Sequence, residues 1–246
     1  MRNNKYLRGP LSPSNFFDLH EYRSAFAKAH PDYFPLDGLL VFTGPQGSGK
    51  TLSAVQYCIR ILDAYPKCLF CSNVSIKGYE DRTISYEGLQ SLSGLENGYE
   101  GVLYLIDEIH LEWNSLESKN ISIEEMTEFA QQRKQRKHIV GTSQVFMRLA
   151  KPLREQIKFV VVCREIGRCI QSNTLIDGTT AYEQDGELVC QSMGTYLWLH
   201  SPVLYDCYDT YAKMHRYRKE WGAREGKGNP NIYSGDGSVK YKRGRL

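Results

Sequence analysis

An α/β fold, with a mostly parallel central sheet flanked by helices, is what the sequence predicts, and three observations predict it. The apolar run Leu39-Leu40-Val41-Phe42 leads into Gly44-Pro45-Gln46-Gly47-Ser48-Gly49-Lys50-Thr51 and then into residues at helical spacing, which is a strand, a Gly-rich turn and a helix. Gly101-Val102-Leu103-Tyr104-Leu105-Ile106 is a continuous apolar run, as expected of a strand buried on both faces of a parallel sheet. Lys67 to Val74, His138 to Gln144 and Phe159 to Cys163 supply further strands. A hydrophobic share of 41% and a charged share of 24% suit a globular chain but do not choose its class. With 246 residues, the chain is long enough to bury a substantial core.

Taken in order, residues 1–13 carry Gly9-Pro10 and Ser12-Pro13 and read as an irregular lead-in. Ser14 or Asn15 can cap a helix running to about His30, with Phe16, Leu19, Tyr22, Phe26 and Ala29 at helical spacing, and this helix is expected to cover the sheet. Pro31, Pro35 and Asp37-Gly38 connect it to the first strand.

Gly44 to Thr51 has the spacing of a phosphate-binding loop. Its glycines let backbone N–H groups converge on phosphate oxygens at the N-terminus of the next helix. Gly44, Pro45, Gln46, Gly47, Ser48, Gly49, Lys50 and Thr51 are therefore the candidate nucleotide-binding residues, with ATP as ligand. Lys50 would reach the β- and γ-phosphates, and the Thr51 hydroxyl would ligate Mg²⁺, a hard cation that prefers oxygen donors. Leu52, Val55, Ile59 and Leu62 then mark one face of a helix ending near Tyr65-Pro66. Residues 75–101 read as a connection with short elements, punctuated by Gly78, Gly88, Gly94 and Gly98.

The strand at 101–106 ends in Asp107-Glu108, at the edge where open α/β sheets bind ligands. Asp107 would hold Mg²⁺ directly or through water, and Glu108 would orient and deprotonate the attacking water. From Ser122 a helical pattern carries acids early and Arg133, Lys134, Arg136 and Lys137 late, which also suits the helix's own dipole. Gln144, at the tip of the following strand, is the candidate γ-phosphate sensor. Beyond Cys163, Asp177-Gly178 and Asp185-Gly186 separate short Thr-, Tyr- and Val-rich runs, so residues 168–200 are expected to form β-hairpins extending the sheet. Tyr205, Tyr208, Tyr211 and Tyr217 suit a helix packed on the body or, alternatively, stacking on bases.

Net charge is +3, but from Lys213 onward ten Lys or Arg face three acids, leaving that tail +7 and the first 212 residues −4. Such a tail suits a polyanionic partner or a docking arm, or else a solvated terminal segment. The seven cysteines lack an export signal and read as reduced thiols, several in apolar strands, in preference to a zinc or redox pair. With no apolar run of membrane-spanning length, the expected location is the cytoplasm.

The motif Gly44 to Thr51, a second motif ending in Asp107-Glu108, and the strand carrying Thr142-Ser143-Gln144 together resemble the additional-strand P-loop ATPases of the FtsK/HerA type, within the wider RecA/FtsK-like class. In that group the chain is most similar to zonular occludens toxin-like proteins and viral DNA-packaging ATPases of phages and mobile elements. Asp107-Glu108-Ile109-His110-Leu111 resembles their Asp-Glu-Ala-His segment, and the spacing from Arg133 through His138 to Gln144 resembles their arginine, strand and glutamine. The resemblance covers residues 36–165. It implies ATP hydrolysis by Lys50, Glu108, Gln144 and Arg133, the last as an arginine finger entering a neighbour's site, with Arg148 and Arg154 as lesser candidates. Filamentous-phage members usually carry a membrane span after the ATPase domain, which is not seen here.

The expected organisation is a lead-in and helix (1–35), a P-loop ATPase core (36–165), a β-hairpin extension (166–212) and a basic tail (213–246). The expected activity is an ATP-hydrolysing, DNA-translocating motor for packaging, export or transfer, acting as a homo-oligomeric, hexameric ring. Its implied partners are DNA and a viral capsid or membrane-associated assembly. The alternatives are a virion-extrusion ATPase working with membrane partners, a P-loop small-molecule kinase, and a nucleotide-gated interaction module.

Overall fold

A computed structural model of the chain describes residues 13–113, 127, 131–132, 134–180, 182–184 and 187–208. Arg133, most of the helix expected from Ser122, Tyr211, Tyr217 and the basic tail lie outside the described residues.

Strands β1 (Gly38–Thr43), β2 (Leu69–Ser72), β3 (Thr83–Ser85), β4 (Val102–Ile106), β5 (Lys137–Ser143), β6 (Ile157–Ile166), β7 (Ile170–Asp177) and β10 (Ser192–Leu199) form one eight-stranded sheet. A separate antiparallel pair, β8 (Tyr182–Gln184) and β9 (Glu187–Val189), precedes β10. The order across the large sheet is β10-β7-β6-β1-β5-β4-β2-β3. From β6 to β3 every pairing is parallel, while β6–β7 and β7–β10 are antiparallel. Strand β5 lies between β1, which feeds the Gly-rich loop, and β4, which ends in the acids. That inserted strand sets the Gly-rich loop and the acids on either side of β5 along one sheet, and the antiparallel extension follows where the sequence places it.

Why these runs become central strands is visible in their burial. Val102 to Ile106 and Lys137 to Ser143 are buried at every position. Alternation divides them between two cores: Leu39, Val41, Tyr104 and Ile106 face one layer, and Leu40, Phe42, Leu103 and Leu105 the other. The second layer is covered by helix α2 (Lys50–Ala64), through Ala54, Val55, Cys58, Ile61 and Leu62. Each large apolar side chain so placed contributes roughly 1.5–3 kcal/mol through burial.

Helix α1 (Pro13–Ala29) forms where its spacing predicts but does not cover the sheet. Phe16 and Phe17 are both 69% exposed and Tyr22 is 67% exposed, because the sheet face in question is already filled by α2. Only Phe26 among its aromatics is partly buried, meeting the rings of His30, Tyr33 and Tyr99. The 75–101 connection holds a strand the sequence conceals, β3, which pairs in parallel with β2, followed by the short helix α3 (Leu89–Gly94). The β6–β7 reversal runs through Gly167 and Arg168, at φ 60° and 58°, and Asp177-Gly178 ends β7 at a 3₁₀ turn, separating it from the next strand as its position predicts. Asp185 and Gly186 lie outside the described residues. All seven cysteines are free thiols, with Cys58, Cys68, Cys71 and Cys163 buried.

At the start of β5 two cations are taken up by packing. Arg136, at φ 53°, stacks over Tyr33 at 4.1 Å and Tyr99 at 5.3 Å, and Lys137 is buried with its Nζ on the Leu92 carbonyl. His138 is also buried, sharing a hydrogen bond between Nε2 and Tyr57 Oη (3.0 Å) while Nδ1 faces the Gly38 carbonyl (3.1 Å). Burial pushes its pKa down from 6.5 to about 4. The folded state therefore favours neutral His138, so its contribution is complete above 6.5 and fades as pH falls toward about 4. Between neutral pH and about pH 5 this group alone should remove about 2 kcal/mol of stability. Urea unfolding of wild type and His138→Gln at both pH values checks this: the wild type should lose more, and parallel losses would contradict it.

Among the described residues no helix is long and apolar enough to cross a membrane.

Candidate functional site

Parallel pairing sets the site. Thr43 is in register with Ser143 and Ile106 with Gly141, so the Gly-rich loop, the acids and the tip of β5 emerge side by side at one sheet edge. The loop enters α2 through Gly49, at φ 75°, and no side chain caps that helix. With glycine at the N-cap, the first N–H groups of α2 have no side-chain cap from that residue, the arrangement that favours an anion. Gly44, at φ 151°, could not carry a side chain: a Cβ there would lie 2.7 Å from the Cys163 carbonyl oxygen and 2.6 Å from Ser48 Oγ.

Lys50 lies along its own loop, with Nζ donating to Pro45 O at 2.8 Å. Burial lowers its pKa, partly offset by Cys163, Asp107 and Glu108, so the ammonium is under-solvated where it stands. Ser48 Oγ is buried and has no hydrogen-bond partner among the described residues. A hydroxyl in that position fits an anionic oxygen as acceptor.

The acids are held by two residues whose roles sequence reasoning missed. Thr142 Oγ1 donates to Asp107 Oδ1 at 2.5 Å and accepts from the Glu108 N–H at 2.7 Å, so one hydroxyl positions both. Asn73, just past β2, brackets the Asp107 peptide, with Nδ2 donating to Asp107 O (3.1 Å) and Oδ1 accepting from Asp107 N (2.8 Å). Glu108 adopts the left-handed conformation, φ 56°, which only a few per cent of non-glycine residues occupy. The expected metal donors meet: Thr51 Oγ1 donates to Asp107 Oδ1 at 2.9 Å across 56 residues of chain. A hydroxyl and a carboxylate oxygen at this spacing are the hard donors that suit Mg²⁺ alongside phosphate oxygens.

Gln144 is the first residue past β5 and is half-buried; with Thr43 opposite Ser143, it stands level with Gly44 at the site's edge. Arg133 lies outside the described residues. Arg148 closes a 3₁₀ turn, and Arg154 donates to Met147 Sδ at 3.0 Å.

The antiparallel extension also reaches the loop. Gln171 and Asn173 on β7 are fully buried; Gln171 Nε2 donates to Ser48 O at 2.9 Å, and the Asn173 amide meets Ser53 Oγ at 3.3 Å. The consecutive polar residues Gln171, Ser172, Asn173 and Thr174 within a strand are the sequence signal for this contact. Beyond β10, residues 202–208 pack Leu204, Cys207 and Tyr208 against the α2 layer, and Tyr208 bridges to Ile76.

No protein-family model matches the chain, and no curated protein matches it. Among solved structures it is similar to the N-terminal domain of zonular occludens toxin from Neisseria meningitidis, at 15% identity and TM-score 0.46, over 70% of this chain and 98% of that one. It is similar to the genome packaging NTPase B204 from Sulfolobus turreted icosahedral virus 2 in complex with ATP-gammaS, at 13% identity and TM-score 0.46, over 68% and 98%. It is likewise similar to the flagellar accessory protein FlaH from Methanocaldococcus jannaschii, at 11% identity and TM-score 0.35, over 63% of this chain and 89% of that one.

Proposed function

We propose that this chain is an ATP-hydrolysing motor that moves DNA during packaging, export or transfer by a virus or mobile element, working as a ring. The observation that carries the hydrolase reading is the convergence on Asp107: Thr51, Thr142 and Asn73, from three separate elements, fix it and Glu108 beside the loop of Lys50.

In this reading the loop's N–H groups and Lys50 hold the β- and γ-phosphates. Mg²⁺, held by Thr51 and Asp107, would neutralise phosphate charge when bound. Glu108 accepts a proton from water as its oxygen attacks the γ-phosphorus; the bond to the β-phosphate oxygen breaks and ADP leaves. Gln144, level with the loop, would contact the γ-phosphate or that water. Arg133 would complete a neighbour's site, which is why a ring is inferred. The uptake of Arg136 and Lys137 by packing favours Arg133 over them for that role. DNA as cargo rests on the sequence resemblance and the +7 charge beyond residue 212.

The test is ATP turnover by the full chain with and without duplex DNA over a range of salt. Turnover should rise with DNA, and the stimulation should weaken as salt increases, because phosphate contacts release counterions. Turnover indifferent to DNA at every salt concentration would overturn the DNA reading and favour the extrusion ATPase.

A further inference from the structure

We propose that Gln171 is a positioning residue for the phosphate loop, acting from the antiparallel extension and itself oriented by His200. The inference rests on the loop binding a nucleotide's phosphates and adds how the loop is kept ready for them. Gln171 Nε2 donates to Ser48 O at 2.9 Å. There are no cis peptides among the described residues, and in a trans peptide the carbonyl and the following N–H point in opposite directions. Holding Ser48 O toward β7 therefore turns the Gly49 N–H away from β7, at the N-cap position of α2, where anion-binding donors are needed.

Two further contacts fix the amide. Its Oε1 lies 3.2 Å from His200 Nε2 and its Nε2 meets the Asn173 amide at 3.1 Å, while His200 Nδ1 in turn meets Tyr205 Oη. Because Ser48 O can only accept, the amide must turn its NH₂ to the loop and its oxygen to His200, which then carries its proton on Nε2. Tyr205 Oη completes the line by donating to Nδ1. The fit is close: Gln171 is fully buried, and a Cβ on residue 49 would collide with Gln171 Oε1. The final glycine of the loop is thus demanded by the glutamine as well as by its own φ of 75°.

The line begins near residues 202–208, whose far end pairs with Ile76 just beyond Asn73, the residue that brackets Asp107. Segment 200–208 therefore links the two sides of the site.

The test compares wild type, Lys50→Ala, Gln171→Met and His200→Leu as full chains, measuring ATP and ADP affinity, KM and kcat, and thermal unfolding without nucleotide. Gln171→Met keeps the shape and loses the amide. It should weaken ATP and ADP about tenfold, the worth of one hydrogen bond to a charged group, and raise KM while kcat stays within about threefold. His200→Leu, at a half-buried position, should shift affinity in the same direction by a smaller factor and serves if Gln171→Met does not fold. Unchanged ATP affinity in the folded variants would overturn the inference, as would a loss of kcat at unchanged KM. Failure of the wild type itself to bind ATP would overturn the nucleotide reading instead.

Discussion

Glu108→Gln should retain ATP and release phosphate about 10²–10⁴ times more slowly than wild type, the usual contribution of a general base. The change is well isolated by the structure. Thr142 holds residue 108 through its backbone N–H, which glutamine keeps, and Asp107 retains its bonds to Thr51, Thr142 and Asn73. Glutamine tolerates the left-handed φ of 56° no worse than glutamate does. What disappears is a basic oxygen beside the metal donors. Stopped-flow phosphate release, together with an equilibrium ATP titration, reads the two halves of the expectation; wild-type turnover in this variant would remove Glu108 as the base.

Lys50→Ala should abolish tight ATP binding, lowering affinity by about 100-fold or more, since charged hydrogen bonds to phosphate are worth roughly 1.5–3 kcal/mol each and Lys50 would make more than one. The folded protein should scarcely notice. Lys50 is under-solvated and bonds to its own loop at Pro45 O, so truncation relieves a desolvation cost while losing one exposed contact. Calorimetric ATP titration and thermal unfolding together check this. Unchanged ATP affinity would remove the loop as the nucleotide site, and collapse of the apo protein would contradict the claim that Lys50 serves the ligand and not the fold.

Both predictions concern residues that local sequence makes plain. The loop Gly44–Thr51 and the acids Asp107-Glu108 each combine a short motif with an adjoining apolar strand, and buried parallel strands leave continuous runs that are readable without a partner. Strand β5 was legible for the same reason, though its place between β1 and β4 was not. What holds the site together was not. Asn73 and Asp107 are 34 residues apart, Gln171 and Ser48 are 123 apart, and neither pairing leaves a local pattern. Thr142 was visible only as part of a polar strand tip; its bonds to both acids depend on β4 and β5 being neighbours with Ile106 opposite Gly141. Strand β3, three residues long among glycines, is too short for periodicity to show. Helix α1 illustrates the converse: spacing located the helix, but spacing alone could not say that α2 already fills the sheet face.

The central claim is that this site directs water at the γ-phosphate of ATP. It is tested most directly by letting the full chain turn over ATP with Mg²⁺ in heavy-oxygen water and weighing the phosphate released. The account predicts phosphate carrying one solvent oxygen per turnover, with the yield falling sharply in Glu108→Gln. Phosphate found instead on a small-molecule acceptor, or ATP bound and left intact by the wild type, would contradict it.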